Sequence, residues 1–287
     1  MLLKDALHSA IDRLTASGVG SPRLNAEMLL MFTLSCDRAY LYAHPERRLT
    51  AEEQTRYEEA IAQRARGVPA QYITGHQEFW GMDFIVSPAV LIPRPETEHV
   101  IETVLDLLQL GGRVPSPGAE LRIVDVGTGS GCVALALTKE LPQAEIHATD
   151  ISSAALEIAR ANAARHQLEN RVQFRETDLL QGLPLAYFDF VVSNPPYVGE
   201  SETDQVQLEV RKFEPRNAVF AGPTGLEVIE RLVPQARAAL KPEGWLVMEI
   251  SGSIAEGVER LLKSWPNFRI AKDLQAIPRV AVARRPT

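Results

Sequence analysis

The spacing of apolar residues divides this chain into two parts. In the first 66 residues the period is helical. Ala6, Leu7, Ala10, Ile11 and Leu14 share one face of a first helix. Ser21-Pro22, a capping residue followed by a first-turn proline, opens a second that carries Ala26, Leu29, Leu30 and Phe32. Thr50-Ala51-Glu52-Glu53 has capping-box form and starts a third, running to about Arg66. A small helical bundle satisfies all three. Between Gly67 and Pro93 the pattern changes, and Glu78 to Val86 reads as a β-hairpin with its turn near Gly81-Met82. Ile92-Pro93-Arg94-Pro95-Glu96-Thr97-Glu98 leads into a helix through Leu110, and Gly111 to Gly118 reads as a loop.

From Leu121 onward strands and helices alternate. Strands are predicted at 121–126, 145–149, 171–176, 187–193, 244–250, 267–271 and 279–284, and helices at 130–140, 152–165, 224–240 and 254–263. Such alternation implies an α/β fold, a mostly parallel sheet covered on both faces. The last two strands have no clear helix between them and imply a closing hairpin. The domain reading is therefore 1–74 helical, 75–93 a hairpin linker, and 94–287 a larger α/β domain.

Composition adds limits. The chain has 287 residues, 45% hydrophobic and 23% charged, with a net charge of −7. No apolar run approaches the ~20 residues that span a bilayer, and the amino terminus lacks the form of a secretion signal. Two cysteines, Cys36 and Cys132, imply no disulfide framework, so a reducing cytoplasm fits. Neither half is a basic nucleic-acid module. Arg47-Arg48 and Arg64/Arg66 read as solvated helix faces, with contact to RNA as the alternative. The six histidines show no metal-ligand spacing.

Candidate chemistry sits at strand ends. The strand at Leu121–Val126, bearing Asp125, runs straight into Gly127-Thr128-Gly129-Ser130-Gly131. Glycines there allow a tight turn and close approach by a ligand, and the next helix aims free N–H groups at it. Asp150 ends the second strand, where a carboxylate can accept from a ribose diol; the alternative is a helix cap. Asp178, before Leu179, ends the third, where it can accept from an adenine amino group or serve a turn. Together these acceptors describe a nucleoside site with little provision for phosphate. At the end of the fourth strand stands Asn194-Pro195-Pro196-Tyr197. Two prolines remove two backbone donors and stiffen the turn. An amide side chain and bare carbonyls remain, suited to accept the hydrogens of an NH2 group.

The glycine loop with Asp150, Asp178 and Leu179 resembles the class I S-adenosylmethionine-dependent methyltransferases. That resemblance implies a seven-stranded Rossmann-like sheet in the order 3-2-1-4-5-7-6, strand 7 antiparallel, and a cofactor over Gly127–Gly131 that also meets Asn194. The Asn194–Tyr197 turn resembles that of amino-methyltransferases, which methylate planar NH2 groups of nucleobases or glutamine. Nothing physical in the four residues separates the two acceptors. A wider set of segments is similar to the release-factor glutamine methyltransferase family (PrmC, also called HemK): Pro69 to Gly75, Glu78 to Gly81, Leu91 to Glu98, Asp125 to Gly131 and Ser193 to Tyr197, with echoes at Phe213-Glu214-Pro215, Asp273-Leu274 and Pro278-Arg279. This implies methylation of glutamine N5 in the Gly-Gly-Gln motif of peptide-chain release factors, with S-adenosylhomocysteine as by-product and a helical domain that binds the substrate. It implies Asn194, Pro195, Pro196 and Tyr197 as catalytic residues, and a monomer that binds neither membrane nor nucleic acid stably. Alternatives are a nucleic-acid amino-methyltransferase, a ribosomal-protein glutamine methyltransferase, and a non-enzymatic interaction module. Thr224-Gly225-Leu226 stands where the family often has Asp-Gly-Leu, and Ala255 lies where it often has Gln; both read as off the catalytic core. Arg94 and Glu96 read as an ion pair capping the helix that follows. Phe79 either stacks near the cofactor or fills the hairpin core.

Overall fold

The computed structural model describes residues 1–110 and 121–286, so the loop expected at Gly111 to Gly118 lies outside the described residues. Two units are seen, Met1–His76 with Gln207–Phe213, and Gln77–Val206 with Glu214–Thr287.

The first unit holds α1 (Leu3–Ala16), α2 (Pro22–Leu34), α3 (Arg38–Ala43), α4 (Ala51–Ala65) and α5 (Ala70–Thr74). Leu3, Leu14, Leu29, Leu30, Tyr57 and Ile61 are buried together, and the Tyr57 hydroxyl donates to the Ala26 carbonyl at 3.0 Å. The capping box forms as its sequence requires: Glu53 N donates to Thr50 Oγ1 at 3.1 Å, and Thr50 N to Glu53 Oε2 at 2.9 Å. Ser21 departs from expectation. Its side chain makes no cap bond; Asn25 instead donates to the Gly20 and Ser21 carbonyls. The short α3 and α5 escape periodicity because they are too brief to show one. Arg64 is not on a solvated face. It is buried, donating to Asn25 Oδ1 at 2.7 Å and the Val68 carbonyl at 3.0 Å, and pairing with Glu209 at 2.7 Å. Arg47 is spent on Glu53 at 2.6 Å.

The second unit carries the hairpin β1 (His76–Phe79) and β2 (Met82–Ile85), then α6 (Glu98–Leu110), β3 (Arg122–Val126), α7 (Cys132–Glu140), β4 (Glu145–Asp150), α8 (Ser153–Arg165), β5 (Val172–Glu176) and β6 (Phe188–Ser193). After β7 (Val198–Gly199) the chain forms α9 (Leu208–Phe213), part of the first unit, then α10 (Arg216–Val219), β8 (Phe220–Gly222), α11 (Glu227–Ala239), β9 (Leu240–Glu249), α12 (Ala255–Leu262), β10 (Arg269–Lys272) and β11 (Pro278–Arg284). The seven-stranded sheet runs β5-β4-β3-β6-β9-β11-β10, with β11 antiparallel to both neighbours. That is the expected 3-2-1-4-5-7-6 order.

Alternate residues of each central strand face opposite layers. Ile123, Val192 and Val247 pack with Val100, Ile101 and Val104 of α6 and with α7. Their neighbours Val124, Val191 and Leu246 pack with Ile229 and Leu232 of α11 and with Val258 of α12. Two covered faces explain why these strands read as continuous apolar runs.

The hairpin turns at Trp80-Gly81, one residue earlier than expected, with φ of 53° and 64°. Both signs match the primed turns that suit strand twist. Trp80 is held in that left-handed conformation by its N–H to Glu98 at 2.8 Å and its indole N–H to Glu140 at 2.9 Å. Phe79 is 1% exposed and meets Phe84 edge-on at 6.1 Å, so it fills the core. From Gln77 on, the hairpin is part of the α/β unit rather than a free linker. Asn162 of α8 ties it there, accepting from Ile85 N at 2.6 Å and donating to the Ile85 carbonyl at 3.0 Å.

Candidate active site

One pocket opens at the carboxyl ends of β3, β4 and β6 and just beyond β5. Asp125, Gly127, Thr128, Gly129, Ser130, Asp150, Asp178, Leu179, Asn194 and Pro196 all line it. Residues drawn from four strand ends thus share a single cavity, as the parallel connection of the sheet demands.

The loop glycines differ in purpose. Gly127, Gly129 and Gly131 have φ of 71°, 54° and 84°. At Gly127 and Gly129 an added Cβ would meet no atom within 4 Å; the backbone there is laid bare toward open space. At Gly131, which precedes α7, it would press on Ala159 at 3.2 Å and Leu135 at 3.3 Å. Gly131 therefore serves packing and does not line the pocket. The loop is braced from behind, since Gly127 N and Thr128 N both donate to the Thr149 carbonyl. Asn162 donates to the Ser130 carbonyl at 2.9 Å, linking loop and hairpin.

Asp150 Oδ2 accepts from Gly129 N and Oδ1 from Ser152 N, each at 2.9 Å. It is not the cap of α8; Ser152 is, accepting from Ala155 N at 3.2 Å. The Ile151 N–H acts on the same carboxylate, so three backbone donors share its roughly four lone pairs. Burial raises the Asp150 carboxyl, opposed by those backbone donors. Asp125 is 2% exposed and accepts from Thr128 Oγ1 at 2.6 Å and Ala134 N at 3.2 Å. Burial pushes its carboxyl up to about 7, and the charge of Asp150 adds to the rise. Asp178 Oδ2 pairs with Arg231 of α11, a pocket-lining cation that the sequence reading missed.

At the acceptor turn Asn194 and Pro196 line the pocket, while Pro195 is buried and Tyr197 turns away. The Tyr197 hydroxyl donates to Glu249 Oε1 at 3.0 Å, and burial raises the phenol far above its ordinary value. Its ring packs against the core layer of α11 and α12. Asn194 Nδ2 donates to Thr97 Oγ1 at 3.0 Å, and Thr97 Oγ1 donates to Glu249 Oε2 at 2.6 Å. Glu249 is 2% exposed. Neither Thr97 nor Glu249 was singled out from the sequence as a site residue. The available signal was a carboxylate closing the apolar run Trp245–Met248.

Arg94 and Glu96 are not paired with each other. Arg94 pairs with the buried Glu214, which also accepts from Ile92 N at 3.2 Å. Glu96 faces Arg279 at 3.8 Å, and Arg279 is held by Asp273 at 2.8 Å. The Thr224–Leu226 segment is not remote from the acceptor turn: a Cβ on Gly225 would lie 2.5 Å from the Tyr197 carbonyl. Thr224 fills the role of a turn residue there, accepting from Leu226 N at 3.3 Å and donating to Glu227 at 3.0 Å.

Among solved structures the fold is similar to the hMettl16 catalytic domain in complex with an RNA hairpin, at TM-score 0.55 and 18% identity over 82% of each chain. It is also similar to the T. thermophilus 16S rRNA N2 G1207 methyltransferase, at TM-score 0.54 and 19% identity over 74% of this chain and 50% of that one. Both likenesses concern the fold. Residues 5–75 match the PrmC N-terminal domain and residues 110–212 the methyltransferase small domain. A release factor glutamine methyltransferase of Koribacter versatilis is 57% identical over 100% of both chains. Another, of Moorella thermoacetica, is 42% identical over 94% of this chain and 92% of its own. With full-length identity of this order and matches to both domains, the chain is an S-adenosylmethionine-dependent methyltransferase and belongs to the release factor glutamine methyltransferase family.

Proposed function

We propose that this enzyme transfers a methyl group to the side-chain amide nitrogen (N5) of the glutamine in the Gly-Gly-Gln motif of peptide-chain release factors. The observation that carries the reading is the convergence of Asn194 and Pro196 with the bare loop at Gly127–Gly129 and Asp150 in one pocket. The open cradle over Gly127 and Gly129 fits a ligand pressed against backbone, and the carboxylate of Asp150 fits a ribose diol. Asp178 and Leu179 border the place of an adenine ring. When bound, S-adenosylmethionine supplies an electrophilic methyl on a sulfonium.

The chain's own residues solve the remaining problem. An amide nitrogen is a poor nucleophile because its lone pair is delocalised. Asn194 Oδ1 and the Pro195 carbonyl accept its two N–H bonds and fix the plane of the group. They also stabilise the positive charge that grows on nitrogen as the methyl arrives. The proton leaves after transfer, so positioning carries the reaction. The role of Tyr197 follows from its bond to Glu249: it anchors the turn. We further propose that the helical unit, with α9, helps bind the release factor, and that the enzyme acts as a monomer in the cytoplasm without stable binding to nucleic acid.

The test is transfer of labelled methyl to purified release factor. Label should vanish when the Gly-Gly-Gln glutamine is replaced by Glu, which has no NH2 group. Label that persists on that variant, or that passes to an oligonucleotide, would overturn the assignment.

A further inference from the structure

An asparagine amide has two faces of opposite polarity, and only one serves this reaction. If Oδ1 points into the pocket it accepts the substrate N–H. If Nδ2 points there, two NH2 groups confront each other. Proton accounting in the network behind Asn194 decides between them.

Thr97 Oγ1 has one hydrogen. It lies 2.6 Å from Glu249 Oε2; burial raises the Glu249 carboxyl and the hydrogen bonds from Thr97 and Tyr197 oppose the rise, and in its ionised form this carboxylate only accepts. The hydrogen is therefore committed to Glu249, and the threonine oxygen offers lone pairs alone to its other neighbour. That neighbour, at 3.0 Å, is the Asn194 amide. The amide atom facing Thr97 must then be the donor Nδ2, which turns Oδ1 away from Thr97. The second oxygen of Glu249 is occupied by the Tyr197 hydroxyl at 3.0 Å, so the carboxylate is held by donors on both sides of the same turn. Thr97 and Glu249 are each 2% exposed and the bond between them is buried, while the bond from Asn194 to Thr97 lies at the pocket wall. Glu249 ends β9, and β9 runs parallel to β6, pairing Met248 with Ser193 just before the turn. Thr97 closes the short turn Pro95–Thr97 that precedes α6.

We propose that Thr97 and Glu249 are positioning residues that fix the amide of Asn194 with Oδ1 toward the methyl acceptor. Their hydrogen-bond polarity, rather than their bulk, sets the direction in which Asn194 can recognise an NH2 group. This rests on the acceptor role given to Asn194 above, and the experiment separates the two.

Four variants are compared with the parent enzyme: Thr97→Val, which keeps shape and loses the hydroxyl, Thr97→Ser, which keeps the hydroxyl, Glu249→Gln, and Asn194→Ala. For each, kcat and KM for release factor, the Kd for S-adenosylhomocysteine and the Tm are measured. Thr97→Val should lower kcat on the order of 100-fold, with the Kd changed less than about 2-fold. Thr97→Ser should restore kcat to within about 3-fold of the parent. Glu249→Gln keeps one acceptor oxygen and puts an NH2 donor in place of the other; with that NH2 facing Thr97, the threonine hydroxyl turns toward Asn194. Its kcat should fall at least about 10-fold, and it decides the matter should Thr97→Val fail to fold. Equal losses in kcat and cofactor affinity, or equal kcat for the Val and Ser variants, would overturn the proposal. If Asn194→Ala loses turnover while Thr97→Val and Glu249→Gln do not, the relay falls and the role of Asn194 stands. If Asn194→Ala turns over at the parent rate, both fall.

Discussion

Asn162 is a side chain whose loss should be felt in two places. It is fully buried in α8 and makes three hydrogen bonds: from Ile85 N at 2.6 Å, to the Ile85 carbonyl at 3.0 Å, and to the Ser130 carbonyl at 2.9 Å. Asn162→Ala removes all three and adds no new partner. The two Ile85 groups lie in a partly exposed strand, where water recovers some of the loss. The Ser130 carbonyl is buried against α8 and recovers none. Taking about 1 kcal/mol for each of the first two and about 2 kcal/mol for the third gives a loss of about 4 kcal/mol. For a unit of this size, that corresponds to a fall in Tm of roughly 8–16 °C. Because Ser130 sits in the glycine loop, affinity for S-adenosylhomocysteine should fall as well. Thermal unfolding followed by circular dichroism gives the first quantity and titration calorimetry the second. Asn162→Asp should be at least as damaging, since it turns an acceptor toward two carbonyls. A Tm within about 2 °C of the parent for Asn162→Ala would refute the claim that this residue joins hairpin to loop.

Other consequences follow from the same geometry. The Asp125 carboxyl is raised to about 7 in the folded protein, so the fold binds its proton more tightly than the unfolded chain does. That contribution is complete below about pH 4 and is lost as pH rises through 7. The stability difference between Asp125→Asn and the parent should therefore shift in the variant's favour from pH 4 to pH 7, then level off; a difference flat across denaturation midpoints would contradict it. Asp150→Ala should weaken cofactor binding about 100-fold, the equivalent of two charge-assisted bonds of about 1.5 kcal/mol each, and a change under about 5-fold by calorimetry would count against the ribose role. Gly225→Ala places a Cβ 2.5 Å from the Tyr197 carbonyl at a φ of 85°, and should cost kcat and Tm together while sparing cofactor affinity. Gly252→Ala, whose Cβ would meet only Pro278 at 3.6 Å and whose φ is not positive, is a control for added bulk without crowding or strain; equal effects in both would show that the turn's geometry is irrelevant.

Much was legible before any coordinates. The seven strands of the large sheet, the glycine loop, the acidic strand ends and the proline turn are each written in contiguous residues. Period, breaker and cap signals are local, and two-sided burial writes itself as apolar runs such as Phe188 to Val192. The family resemblance is borne out along the whole chain. Tertiary structure decided the partners. Adjacency in sequence suggests Arg94 with Glu96, yet Arg94 pairs with Glu214, 120 positions away. Thr97 meets Glu249 across 152 positions. Gly131 looked like part of the ligand cradle and turned out to serve the packing of α7 on α8. Arg64 looked solvated and is buried. Sequence fixes what a segment prefers alone, because that preference depends on a few adjacent side chains. Which polar groups satisfy one another depends on how the sheet and its helices bring distant segments together, and here that pairing chooses the face that Asn194 presents.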